Sequence, residues 1–171
     1  MWGRRWGSEK MTVLWSSRWL SVESQPPLDP YFRAQDEVLL LAIDDQDRLL
    51  LIEEPCPAFG GTTLILPGGC IEEGETPVEA GHRELREETN LGAVNFVTLG
   101  RLRPWPKYLQ VYSHIVFATG LRDDPLDGDE AYEIGLHFRT REDLRSMIAR
   151  GDLDDARTIA ALAICPWWTG G

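Results

Sequence analysis

The chain has 171 residues, 43% hydrophobic and 26% charged, which suits one globular domain with a proper core. A formal net charge of -11 and a pI of about 4.7 exclude nucleic acid as a main partner for the surface as a whole, because phosphate backbones call for an excess of Lys and Arg. No apolar run reaches the roughly 18 residues that span a bilayer, and Cys56, Cys70 and Cys165 are too scattered for a disulfide framework or a zinc site.

The three cysteines read as reduced thiols of a cytoplasmic protein. The opening "MWGRRWGSEK" lacks the apolar centre of a signal peptide, and Met11 already begins a stretch patterned as strand. "MTVLWSS" and "RWLSVES" are short strands rich in Trp, Val and Leu, and the prolines of "QPPLDP" end them. Next come two buried strands, "EVLLLAID" and "RLLLIEE", joined by the polar turn "DQD". "PCPAFGG" is a loop, and "TTLIL" is a short strand running into "PGG".

A helix is predicted from Thr76. Thr76 caps, Pro77 suits the first helical position, and Glu79 completes a capping box. Asn90 closes the helix in a left-handed conformation. Glu84 and Glu88 then lie one turn apart with Glu87 beside them, while Val78 and Leu85 face inward. Gly81 implies a close backbone approach. Arg83 flanks the carboxylates and has the fork to hold one of them, with Glu75 as another partner.

Strands follow at about 94–103 and 110–119, then the acidic loop "RDDPLDGDEAYE" and the strand "EIGLHF". Two last helices fall in "REDLRSMIAR" and "DDARTIAALAI", the second stopped by Pro166. The tail "CPWWTGG" is expected to dock on the body or a partner, and His82, His114 and His137 read as structural or surface groups. Strands first, one helix inserted and helices at the end predict an α/β fold with a mixed sheet covered on both faces.

Gly69, Glu75 and the run Arg83-Glu84-Leu85-Arg86-Glu87-Glu88 are separated by five and by seven intervening residues. This spacing resembles the Nudix box, G-x5-E-x7-R-E-U-x-E-E-x-G-U with U aliphatic. Asn90 replaces the final Gly and preserves its left-handed geometry; Leu91 supplies the last U. The strand order around the box is also similar to that family, which implies a Nudix-like α/β/α sandwich. It further implies a domain over 36–171, with N-terminal strands in 1–35 that are open to exchange between the subunits of a homodimer. Trp15, Trp19, Tyr31 and Phe32 would then wall a nucleotide pocket.

The resemblance implies Mg²⁺ or Mn²⁺ as cofactor, held by Glu84 and Glu88 with Glu87 assisting and the Gly68 carbonyl contributing. Hard oxygen ligands and retained waters suit Mg²⁺. The implied reaction is pyrophosphate hydrolysis, in which Arg83 and Glu87 belong to the catalytic cluster. A base from the loop "DGDEAYE" completes it, Glu130 first and Glu133 second; an incidental acidic loop is the competing reading.

The ending "RGDLDDARTIAALAI" and Pro106 are similar to the ADP-ribose and nucleoside-diphosphate-sugar branch. The expected substrate is therefore ADP-ribose or a nucleoside-diphosphate sugar, giving a nucleoside monophosphate and a sugar phosphate. Trp105, Lys107 and Tyr108, with Arg101 and Arg103, are the candidate substrate residues, because an aromatic beside a cation suits a base and its phosphate. Two departures bear on recognition: "EEPCP" stands where the branch carries a Gln-Tyr-Arg-like segment, and Ile65 stands where it has an acidic residue. Nucleoside triphosphates, dinucleoside polyphosphates and a non-catalytic nucleotide-sugar sensor are the alternatives.

Overall fold

The computed structural model describes residues 10–26, 29–126 and 132–170. Strands β1 (Thr12–Ser16), β2 (Leu20–Ser24), β3 (Tyr31–Ala34) and the two-residue β9 (Leu109–Gln110) form a small sheet in the order β1-β2-β3-β9. A larger sheet runs in the order β11 (Gly135–Arg139), β5 (Leu49–Pro55), β4 (Glu37–Ile43), β10 (Ser113–Asp123) and β8 (Leu91–Leu102). Two short strands extend it, β6 (Thr62–Ile65) against β5 and β7 (Gly68–Cys70) against β4. The β4–β10 pair is parallel and the other pairs of this sheet are antiparallel, so the sheet is mixed as expected.

The alternation of side chains along β4 divides the core into two layers. Leu39, Leu41 and Ile43 face helices α2 (Arg141–Arg150), α3 (Ala156–Ala163) and α4 (Pro166–Thr169), where they meet Leu144, Met147, Leu162 and Trp167. Val38, Leu40 and Ala42 face α1 (Pro77–Thr89) and meet Ala80 and Leu85. Helices therefore cover both faces, which gives the predicted sandwich. No helix among the described residues is long and apolar enough to cross a membrane.

Helix α1 begins and ends where its sequence says. The Glu79 amide donates to Thr76 Oγ1 at 3.3 Å, and the Thr76 amide donates back to Glu79 Oε2 at 2.8 Å. Asn90 has φ 59° and its amide donates to the Arg86 carbonyl. A Cβ on Gly81 would come within 3.1 Å of Leu40 Cδ2, so the missing side chain does let the helix lie close on β4. The inward face differs from expectation at one point: Ala80, Gly81, Leu85 and Thr89 are buried, whereas Val78 is only partly so. Close docking at Gly81 turns the small residues, not the branched one, toward the sheet.

Other boundaries also shift. The second long strand starts at Ser113, not 110, because Asp36 Oδ1 accepts the Tyr112 amide at 2.9 Å and breaks the run. The residues before that break, Leu109 and Gln110, pair with β3 in the other sheet. The tail forms α4 and docks as expected: Trp167 is buried, donates from Nε1 to Asp47 and lies under the Arg141 guanidinium at 4.4 Å.

Candidate active site

Arg83 organises the face of α1 that looks toward β7. Its Nε and Nη2 fork onto Glu75 at 2.9 Å each, and Nη2 also reaches the Cys70 carbonyl at 2.9 Å. Nη1 donates to Glu84 at 2.8 Å and to Glu87 at 3.0 Å. The fork to Glu75 is the partnership that the sequence suggested, and it ties the loop before α1 to the helix. One guanidinium faces three carboxylates here, which leaves the cluster net negative even before Glu88 is added.

Glycines set how closely these groups approach. A Cβ on Gly69 would sit 2.4 Å from Glu84 Oε1, so the absence of a side chain lets that carboxylate lie against the β7 backbone. Glu88 Oε2 accepts the Gly68 amide at 2.9 Å. The contact of Gly68 with the cluster thus runs through its N–H.

Burial and charge act unequally along the stripe. Burial, the larger influence, pushes the Glu84 carboxyl above its ordinary value, with Arg83 opposing. Glu75 is held below its ordinary value, first by the Arg83 fork. The Cys70 thiol is pushed up by burial and by the nearby Glu37 and Glu84 charges.

These residues line an open cleft of about 810 Å³, together with Gly68, Gly69, Cys70, Glu72, Glu73, Arg18, Trp19, Gln35 and Tyr132. The Arg18 guanidinium stacks 4.2 Å above the Trp19 ring. Gln35 is anchored through Nε2 to the Ile71 carbonyl at 2.7 Å, and Tyr132 donates to Glu54 at 3.2 Å. The lining of the cleft therefore combines carboxylates with aromatic and cationic groups. Nothing local in the sequence marks Arg18, Gln35 or Tyr132 as cleft residues, since the first two flank the paired strands β2 and β3.

Among the described residues, no three His, Cys, Asp or Glu side chains converge tightly enough to hold a metal ion unaided. The donor set still fits Mg²⁺, which takes one or two carboxylates and fills its remaining positions with water and substrate phosphate. A partly buried Glu84 in a net negative cluster is a position that a cation would stabilise.

The other candidates separate. Glu133 is exposed and does not line this cleft, although its neighbour Tyr132 does. Glu130 lies outside the described residues. Arg103, Lys107 and Tyr108 line a second cleft, with Trp105 packed on Tyr108 at 4.8 Å and Arg101 stacked on Tyr112 at 4.0 Å. The structure thus does not bring the predicted substrate residues to the glutamate cleft of the same chain.

Known proteins resemble this chain in sequence and fold. The NUDIX domain model matches residues 33–162. ADP compounds hydrolase NudE of Escherichia coli (strain K12) is 30% identical over 137 residues, covering 80% of this chain and 73% of that protein. ADP-ribose pyrophosphatase of Bacillus subtilis (strain 168) is 26% identical over 129 residues, covering 73% and 69% respectively. A crystal structure of an ADP compounds hydrolase superposes with a TM-score of 0.81 at 28% identity, covering 95% of this chain and 92% of that one.

Proposed function

The chain belongs to the NUDIX family and is a Nudix pyrophosphohydrolase, and from that premise we propose that it cleaves ADP-ribose or a related nucleoside-diphosphate sugar to a nucleoside monophosphate and a sugar phosphate. The observation that carries this reading is that Glu84, Glu87 and Glu88 line one cleft together with Trp19. Carboxylates alone would repel a diphosphate, and an indole face alone would only bind a base.

Glu84 and Glu88 would hold Mg²⁺ or Mn²⁺, assisted by Glu87 and the Gly68 carbonyl, and the ion would screen the diphosphate and make a bound water more acidic. The chain's own residues do the positioning. Arg83 fixes the directions of Glu84 and Glu87 through Nη1 and cannot itself give up a proton at physiological pH. Trp19, backed by Arg18, presents a flat face to the base. The base that takes the water's proton comes from the loop after β10, with Glu130 the first choice and Glu133 the second.

The small sheet suggests how the protein assembles. All of β1 is exposed at the edge of its sheet, including Val13, Leu14 and Trp15, apolar surface beside an unpaired edge that a second copy would cover. We assign a homodimer on this ground, with the N-terminal strands as its contact. The three free cysteines suit a reducing, cytoplasmic compartment.

A panel of ADP-ribose, nucleoside-diphosphate sugars, nucleoside triphosphates and dinucleoside polyphosphates, each incubated with Mg²⁺, tests the substrate. The expected result is rapid release of AMP from ADP-ribose, or of the matching monophosphate from one of the sugars. Preferential loss of pyrophosphate from a triphosphate would reassign the substrate. Binding of a nucleotide sugar without any product would make the chain a sensor.

A further inference from the structure

Two consecutive residues near the start of α3 reach the short segment that lies under the glutamates. Thr158, fully buried, accepts the Leu66 amide on its Oγ1 at 3.2 Å. Arg157 donates from Nη1 to Glu37 Oε2 at 2.8 Å, and Glu37 stands directly opposite Cys70 in the β4–β7 pair. The two contacts thus fall at the two ends of residues 66–70. We propose that Arg157 and Thr158 are positioning residues of the hydrolase site, which clamp residues 66–70 from behind so that their backbone aims Glu88 and Arg83.

This segment needs a clamp. β7 is three residues long, two of them glycine, and has little strand propensity of its own. Its backbone nevertheless carries the groups that meet α1. The Gly68 amide donates to Glu88 Oε2 at 2.9 Å, the Cys70 carbonyl accepts Arg83 Nη2 at 2.9 Å, and Gly69 leaves the space that Glu84 occupies. Alternation along β4 sends Val38 toward α1 and Leu39 toward α3, so Glu37 belongs to the α3 face. Residues 66–70 are therefore gripped between the carboxylate stripe in front and α3 behind.

The clamp is itself anchored. Asp155 caps α3 by accepting the Thr158 amide on Oδ2 at 2.8 Å, and its Oδ1 takes Arg157 Nε at 3.4 Å. Glu37 Oε1 accepts Ser113 Oγ at 2.5 Å. The chain Asp155–Arg157–Glu37–Ser113 ties α3 to β4 and β10 together, across 120 residues of sequence between Arg157 and Glu37. Neither Arg157 nor Thr158 lines the glutamate cleft, so their influence passes through the backbone of 66–70. Losing such outer support of a metal-holding group lowers activity about 10–100-fold. The proposal rests on reading Glu84 and Glu88 as the pair that holds the cation.

Thr158→Val removes the acceptor at nearly constant shape, and Thr158→Ser keeps it. With Mg²⁺ and the panel member hydrolysed fastest, kcat is expected to fall about tenfold in Thr158→Val with KM within about twofold, and Thr158→Ser to recover most of it. Arg157→Met, at a half-buried position, should lower kcat in the same way and serves if the valine variant folds poorly. Hydrogen exchange in metal-free protein gives a readout without turnover. The Gly68 amide should exchange about tenfold or more faster in Thr158→Val and Arg157→Met, and accelerate more than the amides of β5. Wild-type kcat in both folded variants would overturn the proposal, as would a serine variant as slow as the valine one. Equal acceleration of Gly68 and β5 would make the two residues global stabilisers and not positioning groups. If no panel member is hydrolysed, the substrate reading falls, and the exchange comparison still decides the clamp.

Discussion

Glutamine in place of Glu84 is expected to lower turnover of the best substrate by about 10²–10³-fold, the scale of losing one preorganised electrostatic contact. The substitution keeps the shape of the side chain and leaves an oxygen to accept Arg83 Nη1, so the Arg83 network survives. Stability should move the other way. Burial raises the Glu84 carboxyl above its ordinary value of 4.5, so between that value and the raised one the folded protein holds more protons than the unfolded chain. Stability therefore falls as pH rises through that window, and the cost is fully present above it. At neutral pH without metal, Glu84→Gln should melt at or above the wild-type temperature while being nearly inactive. A variant that lost activity together with several degrees of Tm would instead point to a damaged fold.

The second large effect is structural. Gly68→Ala would place a Cβ 2.0 Å from the Val38 backbone oxygen and 3.0 Å from the Leu39 Cα. Neither is a flexible side-chain tip, so β7 has to move off β4. The expected cost is about 3 kcal/mol, a fall of roughly 6–12 °C in Tm. Because β7 also carries the amide that Glu88 accepts, activity should fall as well. Gly60 is the matched control: its φ of 79° is left-handed, yet an added Cβ meets nothing within 4 Å. Gly60→Ala should cost only about 1–2 kcal/mol and spare the site. Chemical denaturation of the two variants side by side checks both numbers, and equal losses would show that β7 is not constrained by β4.

Local signals carried much of this protein. The capping box at Thr76, the left-handed Asn90 and the spacing of Gly69, Glu75 and Arg83 are all short-range, and α1 with its ion-pair hub follows from them. The uninterrupted apolar runs of β4 and β5 were equally legible, since a strand buried on both faces needs no alternation. What escaped depends on contacts distant in sequence. β7 contains two glycines and has no strand propensity; pairing with β4 makes it a strand. The loop bearing Trp105, Lys107 and Tyr108 was read as substrate-binding because an aromatic beside a cation suits a nucleotide. Pairing of β9 with β3 carries it to a separate cleft, and no local pattern encodes that pairing. Docking of Gly81 on Leu40 likewise decided which helix face is buried, against the larger apolar side chain of Val78.

The central claim is that the carboxylate stripe on α1 exists to hold a divalent cation, through which an acidic cleft accepts an acidic diphosphate. Calorimetric titration of Mn²⁺ into the wild type and the Glu84→Gln/Glu88→Gln double variant, each with and without AMP, measures this most directly. The wild type should bind Mn²⁺, and the double variant should show at least tenfold weaker binding or none. Equal Mn²⁺ affinity in the two proteins, or no Mn²⁺ uptake by the wild type under any of these conditions, would contradict the claim.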